Sequence, residues 1–106
     1  MKNEPPRVQD SDKLVQRQEF PLLGPYVAPR TATERKVAEI WRAALGMDQV
    51  GITDKFEELG GDSLLAMSIF ADIEKSLAVA VPIAVLARSL TIEQLATRID
   101  ELMSGR

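Results

Sequence analysis

The 106-residue sequence contains neither cysteine nor histidine. Without cysteine the chain forms no disulfide framework, binds no metal through thiolates and has no cysteine nucleophile. Without histidine it lacks the commonest general base of enzymes and the commonest metal ligand of proteins. Carboxylates and lysines remain for catalysis, but the usual base of hydrolysis and group transfer is missing. The composition therefore argues against catalysis by this chain alone.

Aromatic residues are also scarce, at 5% of the chain, so a core must be built from aliphatic side chains and methionine. Hydrophobic residues make up 45% and charged residues 27%, which is typical of a soluble globular protein. A chain of this length holds one domain at most.

Positive charge is in deficit, with a formal net charge of -3. Nucleic-acid binders concentrate lysine and arginine on one face, so the balance argues against a helix-turn-helix DNA binder. No apolar run is long enough to span a bilayer, and the N-terminal residues contain no apolar signal-peptide core. We expect a cytoplasmic, monomeric protein that binds neither membranes nor nucleic acid.

Proline is almost absent after the first 30 residues, which contain five of the six prolines. Because proline removes a hydrogen-bond donor and fixes φ, residues 1–30 are predicted to be a flexible N-terminal tail or linker, and 31–106 the folded domain. A second interpretation is that the apolar side chains of this segment lie on the domain. Those side chains are Phe20, Leu22, Leu23, Tyr26 and Val27.

Three stretches have helical periodicity. The first begins with a capping box, Thr31 and Glu34, and ends at Gly46. The second opens at Asp62 or Ser63, and the third begins with another capping box. The remaining helix signals are the core stripe of the second helix, Ala66, Ile69, Phe70, Ile73 and Leu77, and the second capping box, Thr91 and Gln94.

The connections complete an all-α prediction. Pro82 suits the first position of a short helix through Ile83, Val85 and Leu86. The loop 47–62 is long for so small a domain, and such loops are usually functional or pinned by their own side chains. Its predicted apolar anchors are Val50, Ile52, Phe56 and Leu59. The fold class is a small four-helix bundle with three main helices, one short helix and a long first loop.

The residues Gly60, Gly61, Asp62 and Ser63 form the candidate site. Two glycines permit a sharp turn, which leaves the serine hydroxyl unobstructed at a helix N-terminus. That position tolerates negative charge, including a phosphoester on Ser63. The alternative interpretation is an ordinary well-capped helix start.

Three further apolar residues, Leu64, Leu65 and Met67, cannot all face the core that Ala66 and Ile69 define. An apolar patch beside a reactive hydroxyl is predicted to be a docking surface. Leu65 has a second interpretation, which is packing under the long loop.

Acidic residues dominate the surroundings of Ser63. Seven acids against Lys55 leave a net charge of -6 between residues 48 and 74, which would steer basic partner surfaces toward the site. A solvated acidic face with no partner is the alternative, and the spacing matches no recognised metal-ligand set. The acids are Asp48, Asp54, Glu57, Glu58, Asp62, Asp72 and Glu74.

The run Phe56–Ala66 resembles the attachment motif of peptidyl carrier (thiolation) domains from nonribosomal peptide synthetases. The resemblance covers roughly residues 25–103. Residues 33–46 are similar to the family's first helix, 50–56 to its loop and 90–96 to its last helix. Residues 25–31 are similar to the linker that joins an adenylation domain to its carrier.

This resemblance implies that Ser63 receives 4′-phosphopantetheine from coenzyme A through a phosphopantetheinyl transferase. Gly61 and Asp62 would shape the attachment turn. The chain would be a non-catalytic carrier served by an adenylation or acyl-ligase enzyme and by condensation or other downstream domains. The thiol of the arm would then hold the cargo, which suits a chain without cysteine.

Two features of the motif bear on the cargo. Asp62 stands where many carriers that feed a condensation domain have histidine, while Gly60 and Gly61 favour a peptidyl carrier over an acyl carrier of fatty-acid or polyketide systems. Two alternatives remain open: a carrier for a fatty, polyketide or starter acyl unit, and an unmodified helical interaction module.

Overall fold

The computed structural model describes residues 14–20, 23–82 and 90–104. Within these ranges the secondary structure is helical, with no strand. The helices are α1 (Ala32–Leu45), α2 (Ser63–Leu77) and α3 (Ile92–Ser104), with short 3₁₀ turns at Arg17–Glu19 and Phe56–Leu59. The predicted all-α class with three main helices is confirmed. The short helix predicted through Ile83, Val85 and Leu86 lies outside the described residues.

Capping hydrogen bonds fix the start of α1. Thr31 Oγ1 accepts from the Glu34 N–H at 3.0 Å, and Glu34 Oε1 accepts from the Thr31 N–H at 3.2 Å. At the other end Gly46 is left-handed, with φ 68°, and its N–H donates to the Arg42 carbonyl. Both predicted boundaries of this helix are confirmed.

The start of α3 has the second capping box. Thr91 Oγ1 accepts from the Gln94 N–H at 3.1 Å, and Gln94 Oε1 accepts from the Thr91 N–H at 3.2 Å. The Phe56 N–H donates to the carbonyl of Leu90, just before this cap, at 2.9 Å. The long loop is therefore tied to the start of α3.

The core lies where α1 packs against both α2 and α3. Trp41 is 1% exposed and makes an edge contact with Phe56, with 5.2 Å between ring centroids and 62° between ring planes. Among the described residues Trp41 Nε1 finds no hydrogen-bond partner. The predicted loop anchors are all buried, and the α2 stripe faces the core, with Phe70 and Leu77 half-buried. None of the described helices is both long and apolar enough for a bilayer crossing.

The described part of the N-terminal segment lies on the domain, which is the second interpretation of its apolar side chains. We call residues 14–20 and 23–30 the strap. Residues 1–13, 21 and 22, among them the apolar Leu22, lie outside the described part. The Val15 N–H donates to the Gly46 carbonyl at 2.8 Å, and the Asp48 N–H donates to the Val15 carbonyl at 2.9 Å. Further along, the Ile52 N–H donates to the Val27 carbonyl at 2.9 Å. The partly buried strap residues that pack against the core are Phe20, Leu23 and Val27.

A buried ion pair explains why the strap is held. Arg17 Nε and Nη2 donate to the two carboxylate oxygens of Asp54, each at 2.7 Å. Arg17 is 9% exposed and Asp54 3%. The Asp54 carboxylate, by its hydrogen bond and its charge, raises the pKa of Arg17 above its usual value. The guanidinium also donates to the Gly24 carbonyl at 2.9 Å and lies over the Tyr26 ring, 5.3 Å from its centroid.

Candidate functional site

The site begins where the 3₁₀ turn Phe56–Leu59 ends in two glycines. Gly60 has φ 89°, in the region that favours glycine, and its N–H donates to the Glu57 carbonyl at 3.2 Å. The Gly61 N–H donates to the Phe56 carbonyl at 3.1 Å. These bonds fold the backbone tightly just before α2.

Gly61 is needed for space. A Cβ atom at this position would lie 2.6 Å from Phe56 Cδ2 and closer still to Cε2 and Cζ of the same ring. A methyl group cannot fit there unless the ring or the turn moves. The role predicted for Gly61 in shaping the turn therefore involves one specific neighbour, the Phe56 ring.

Asp62 and Ser63 have different positions at the start of α2. Asp62 is the N-cap residue, and its Oδ1 accepts from the Leu65 N–H at 2.9 Å. Ser63 is the first helical residue and is exposed. Within the described part of the chain its hydroxyl makes no hydrogen bond. The N–H groups of Ser63 and Leu64 open the helix and have no partner inside it.

The three apolar residues after Ser63 differ in exposure. Leu64 is 78% exposed and Met67 55%. Leu65 is half-buried and packs against the core. The exposed patch beside Ser63 therefore consists mainly of Leu64 and Met67.

The acidic surroundings are smaller than the sequence suggests. Asp54 is buried and paired with Arg17, so it belongs to the strap contact and not to a surface field. Asp48 accepts the Arg17 backbone N–H at 2.9 Å and is also committed to the strap. The remaining acids are exposed or half-buried: Glu57, Glu58, Asp62, Asp72 and Glu74. The described residues contain no group of three or more side chains placed to hold a metal ion.

The arrangement fits a covalently bound anion better than it fits catalysis. An open hydroxyl at the start of a 15-residue helix can bear a phosphoester where unpaired N–H groups face it. The adjacent Asp62 carboxylate is engaged by the Leu65 N–H. Phe56, predicted only as a loop anchor, also shapes the site, and no local pattern signals its contact with Gly61.

Comparisons with known proteins agree with this chemistry. A family model described as the phosphopantetheine attachment site matches residues 35–99. The chain is 46% identical over 76 residues to gramicidin S synthase 2 of Brevibacillus brevis. The matched region covers 72% of this chain but 2% of that synthase, so the chain corresponds to a small part of the relative.

Solved structures give the same result. A chain in the structure of the phosphopantetheine transferase Sfp in complex with coenzyme A and a peptidyl carrier protein is 41% identical, with a TM-score of 0.68 over 71% of this chain and 97% of that one. BlmI, a type-II acyl-carrier-protein from Streptomyces verticillus involved in bleomycin biosynthesis, is 26% identical, with a TM-score of 0.65 over 94% of this chain and 100% of that one. The chain belongs to the phosphopantetheine-attachment family, as a carrier domain of the kind found in nonribosomal peptide synthetases, and its cofactor is 4′-phosphopantetheine.

Proposed function

We propose that Ser63 is the attachment residue and that the chain carries aminoacyl or peptidyl groups on the phosphopantetheine arm. The observation that carries this proposal is the exposed Ser63 hydroxyl at the first position of α2, without a hydrogen bond to the described residues. The matched family region includes this residue. The arm supplies the thiol that a chain without cysteine lacks.

Attachment requires a partner enzyme. It forms a bond between Ser63 Oγ and the phosphorus that bears pantetheine, releases the nucleotide half of coenzyme A and passes the hydroxyl proton to a base. The chain has no histidine, and the Asp62 carboxylate already caps α2. The base therefore belongs to a phosphopantetheinyl transferase, and this chain is a non-catalytic substrate and carrier.

The chain's own residues would orient the attached group. The N–H groups at the start of α2 would hold a phosphodiester on Ser63, and the helix dipole would favour its negative charge. Asp62 keeps the next N–H, that of Leu65, occupied. The arm would thus leave the protein at one defined point, directed toward solvent.

Leu64 and Met67 are proposed as the docking patch, with the partly exposed Leu65 at its edge. The exposed acids Glu57 and Glu58 suit basic partner surfaces. The proposed partners are the transferase, an adenylation or acyl-ligase enzyme, and condensation or other downstream domains. The proposed setting is the cytoplasm, as a monomer that binds neither membranes nor nucleic acid.

The proposal that the cargo is an aminoacyl or peptidyl group rests on Gly60 and Gly61 and on the 46% sequence identity to gramicidin S synthase 2. A second candidate, a carrier for a fatty, polyketide or starter acyl unit, is favoured by the full-length match to a type-II acyl-carrier-protein. Loading assays with amino-acid and acyl adenylating enzymes discriminate between the two.

The decisive experiment measures intact mass after incubation with coenzyme A, magnesium and a broad-specificity transferase. Wild type and Ser68→Ala, which removes another exposed hydroxyl of α2, should each gain one phosphopantetheinyl group. Ser63→Ala should gain none while keeping its helical circular dichroism. A mass gain in Ser63→Ala, or none in folded wild type, would refute the assignment.

A further inference from the structure

We infer that Phe56 is a positioning residue for Ser63: its ring determines where the Gly60–Gly61 turn, and hence the start of α2, lies. This inference deepens the proposed function, because the effect on modification depends on Ser63 being the attachment residue. The structural part concerns the turn itself and can be tested separately.

The first support is the contact between the ring and Gly61. The face of Gly61 that would bear a side chain is closed by three carbons of the Phe56 ring, Cδ2, Cε2 and Cζ. Gly60 differs, because an added Cβ there would meet nothing within 4 Å, and only its φ of 89° demands glycine. The two glycines are thus required for separate reasons, and only one of the reasons involves Phe56.

The second support is that the core restrains the ring. Phe56 is 6% exposed, and its ring makes an edge contact with the buried Trp41 of α1. A ring held in this way does not swing aside freely, since close-packed interiors transmit strain instead of absorbing it. A side chain at position 61 would therefore displace the turn as well as the ring.

The third support lies in the backbone of Phe56. Its N–H donates to the Leu90 carbonyl at 2.9 Å, and its carbonyl accepts from the Gly61 N–H at 3.1 Å. One residue therefore joins α1 through its ring, the start of α3 through its N–H and the serine turn through its carbonyl. Ser63 follows two residues after Gly61, so displacement of the turn displaces the hydroxyl.

The consequence for the reaction is a matter of alignment. Moving a Cβ at position 61 out to ordinary contact with the ring takes a shift on the order of 1 Å, and a misplacement of that size can lower a rate by about 100-fold. A ring that positions Ser63 should affect the rate of modification more than it affects the affinity for the transferase, which is governed by the exposed patch.

The test is a double-mutant cycle on the rate of modification by coenzyme A and a broad-specificity transferase. We expect Gly61→Ala to lower kcat by about tenfold or more with a smaller change in KM. Phe56→Val removes all three ring carbons that the methyl group would meet. In the Phe56→Val background the same Gly61→Ala change should cost only about threefold or less, which is the coupling expected of residues in contact.

Two alanine variants serve as controls. Gly60→Ala strains the turn without meeting the ring, so Phe56→Val should not rescue it. Gly46→Ala introduces the same kind of left-handed strain at the end of α1, away from the turn, and should leave kcat unchanged. The inference is overturned by wild-type kcat in Gly61→Ala, by a Gly61→Ala cost in the Phe56→Val background as large as in wild type, or by equal rescue of Gly60→Ala.

A measurement without the transferase separates this inference from the proposed function. In two-dimensional NMR spectra, Gly61→Ala should shift the Ser63 and Leu65 amide signals and the Trp41 indole N–H signal, which senses the Phe56 ring. Phe56→Val should abolish the difference that the alanine makes at the two amides. If wild type accepts no phosphopantetheine, the proposed function fails, and these shifts alone decide whether Phe56 positions the turn; unchanged shifts refute it.

Discussion

At the scale of single residues, the pair Asp62 and Ser63 shows how a serine hydroxyl can lie at a helix start without forming the capping hydrogen bond. A serine at the N-cap position usually spends its side-chain oxygen on a backbone N–H of the first turn. Here Asp62 makes that bond, to the Leu65 N–H, and Ser63 moves one position into the helix with its hydroxyl open. Removal of the Ser63 hydroxyl should therefore cost little stability, because the cap is on its neighbour.

The proposed docking patch gives a prediction at the same scale. Met67→Asp should slow modification by the transferase several-fold, because it puts a charge on the exposed apolar surface beside Ser63. The free energy of unfolding should change by less than about 1 kcal/mol, as for most surface substitutions. Transferase kinetics and urea denaturation measure the two quantities.

Met103→Asp is the matched control, because it makes the same chemical change on α3 at a methionine that is 41% exposed. It should leave the modification rate near that of wild type. If Met67→Asp were unfolded by circular dichroism, Met67 would belong to the core and the docking assignment would fail.

At the scale of secondary-structure elements, the start of α1 depends on one buried carboxylate. Glu34 is 4% exposed and accepts from the backbone N–H groups of Arg30 and Thr31 while pairing with the Arg30 guanidinium at 3.0 Å. The Arg30 hydrogen bond and charge, with the two backbone N–H groups, lower the pKa of Glu34 to about 2 from its usual 4.5. The start of α1 is therefore more stable when Glu34 is ionised.

This depressed pKa predicts how stability depends on pH. A carboxyl group whose pKa is lower in the folded state stabilises the fold above its unfolded pKa, and that stabilisation is lost as the group protonates. The unfolding free energy should fall as pH falls from about 4.5 toward 2. Glu34→Gln should be less stable near pH 6 and should show a shallower decline in acid.

Urea denaturation at a series of pH values checks this. Glu39→Gln, which changes an exposed carboxylate of the same helix, is the control and should keep the wild-type slope. Identical slopes for Glu34→Gln and wild type would contradict the assignment of this acid sensitivity to Glu34.

Sequence patterns predicted those elements that are governed by neighbours in the chain. The capping boxes at Thr31 and Thr91 and the end of α1 at Gly46 are local hydrogen-bond arrangements, and all three are present. The end of α2 was harder to predict from the sequence, because Ala78 adopts the left-handed conformation, φ 57°, at a position where glycine is usual. A docked strap was only the second interpretation of the sequence, since its anchor joins residues 37 positions apart and prolines hide any periodicity.

Site prediction divides in the same way. Ser63, Asp62 and the glycines are contiguous, so turn and cap chemistry indicated them together. Leu64 and Met67 followed from helical spacing and are exposed, whereas the true surroundings of Asp54 depended on the distant Arg17. The ring of Phe56 reached the site through tertiary packing alone.

At the scale of the whole molecule, the strap ties the N-terminal residues to the loop that leads to the site. Its bonds reach Gly46, Asp48, Ile52 and Asp54 in succession. Arg17 is the centre of this contact, because its guanidinium serves the Asp54 carboxylate, the Gly24 carbonyl and the Tyr26 ring together. We expect the strap to remain docked only while this buried pair is intact.

Arg17→Met tests that expectation. It keeps much of the apolar stem but leaves the Asp54 carboxylate buried without its partner, a loss that typically costs about 3–5 kcal/mol. The strap should undock, because undocking exposes the unpaired Asp54 carboxylate to water. The Asp48 and Ile52 amides, which donate to strap carbonyls, should then exchange with deuterium much faster. Helical amides should lose less protection, because undocking is a local opening.

Arg42→Met, which removes an exposed guanidinium, is the control and should leave exchange at Asp48 and Ile52 unchanged. Equal protection of these two amides in wild type and Arg17→Met would show that the ion pair does not hold the strap.

A docked strap also determines the length of free chain between the folded domain and any part of the protein joined before Val15. An extended chain reaches roughly 3.3–3.6 Å per residue, so a loose segment over residues 15–27 would let the domain wander several nanometres from its attachment point. With Val15 hydrogen-bonded beside Met47 and Val27 beside Ile52, none of that length is available. The distance over which the arm proposed on Ser63 can reach partners is then measured from the surface of the domain itself. The Arg17–Asp54 pair thereby limits the length of free chain that precedes the domain.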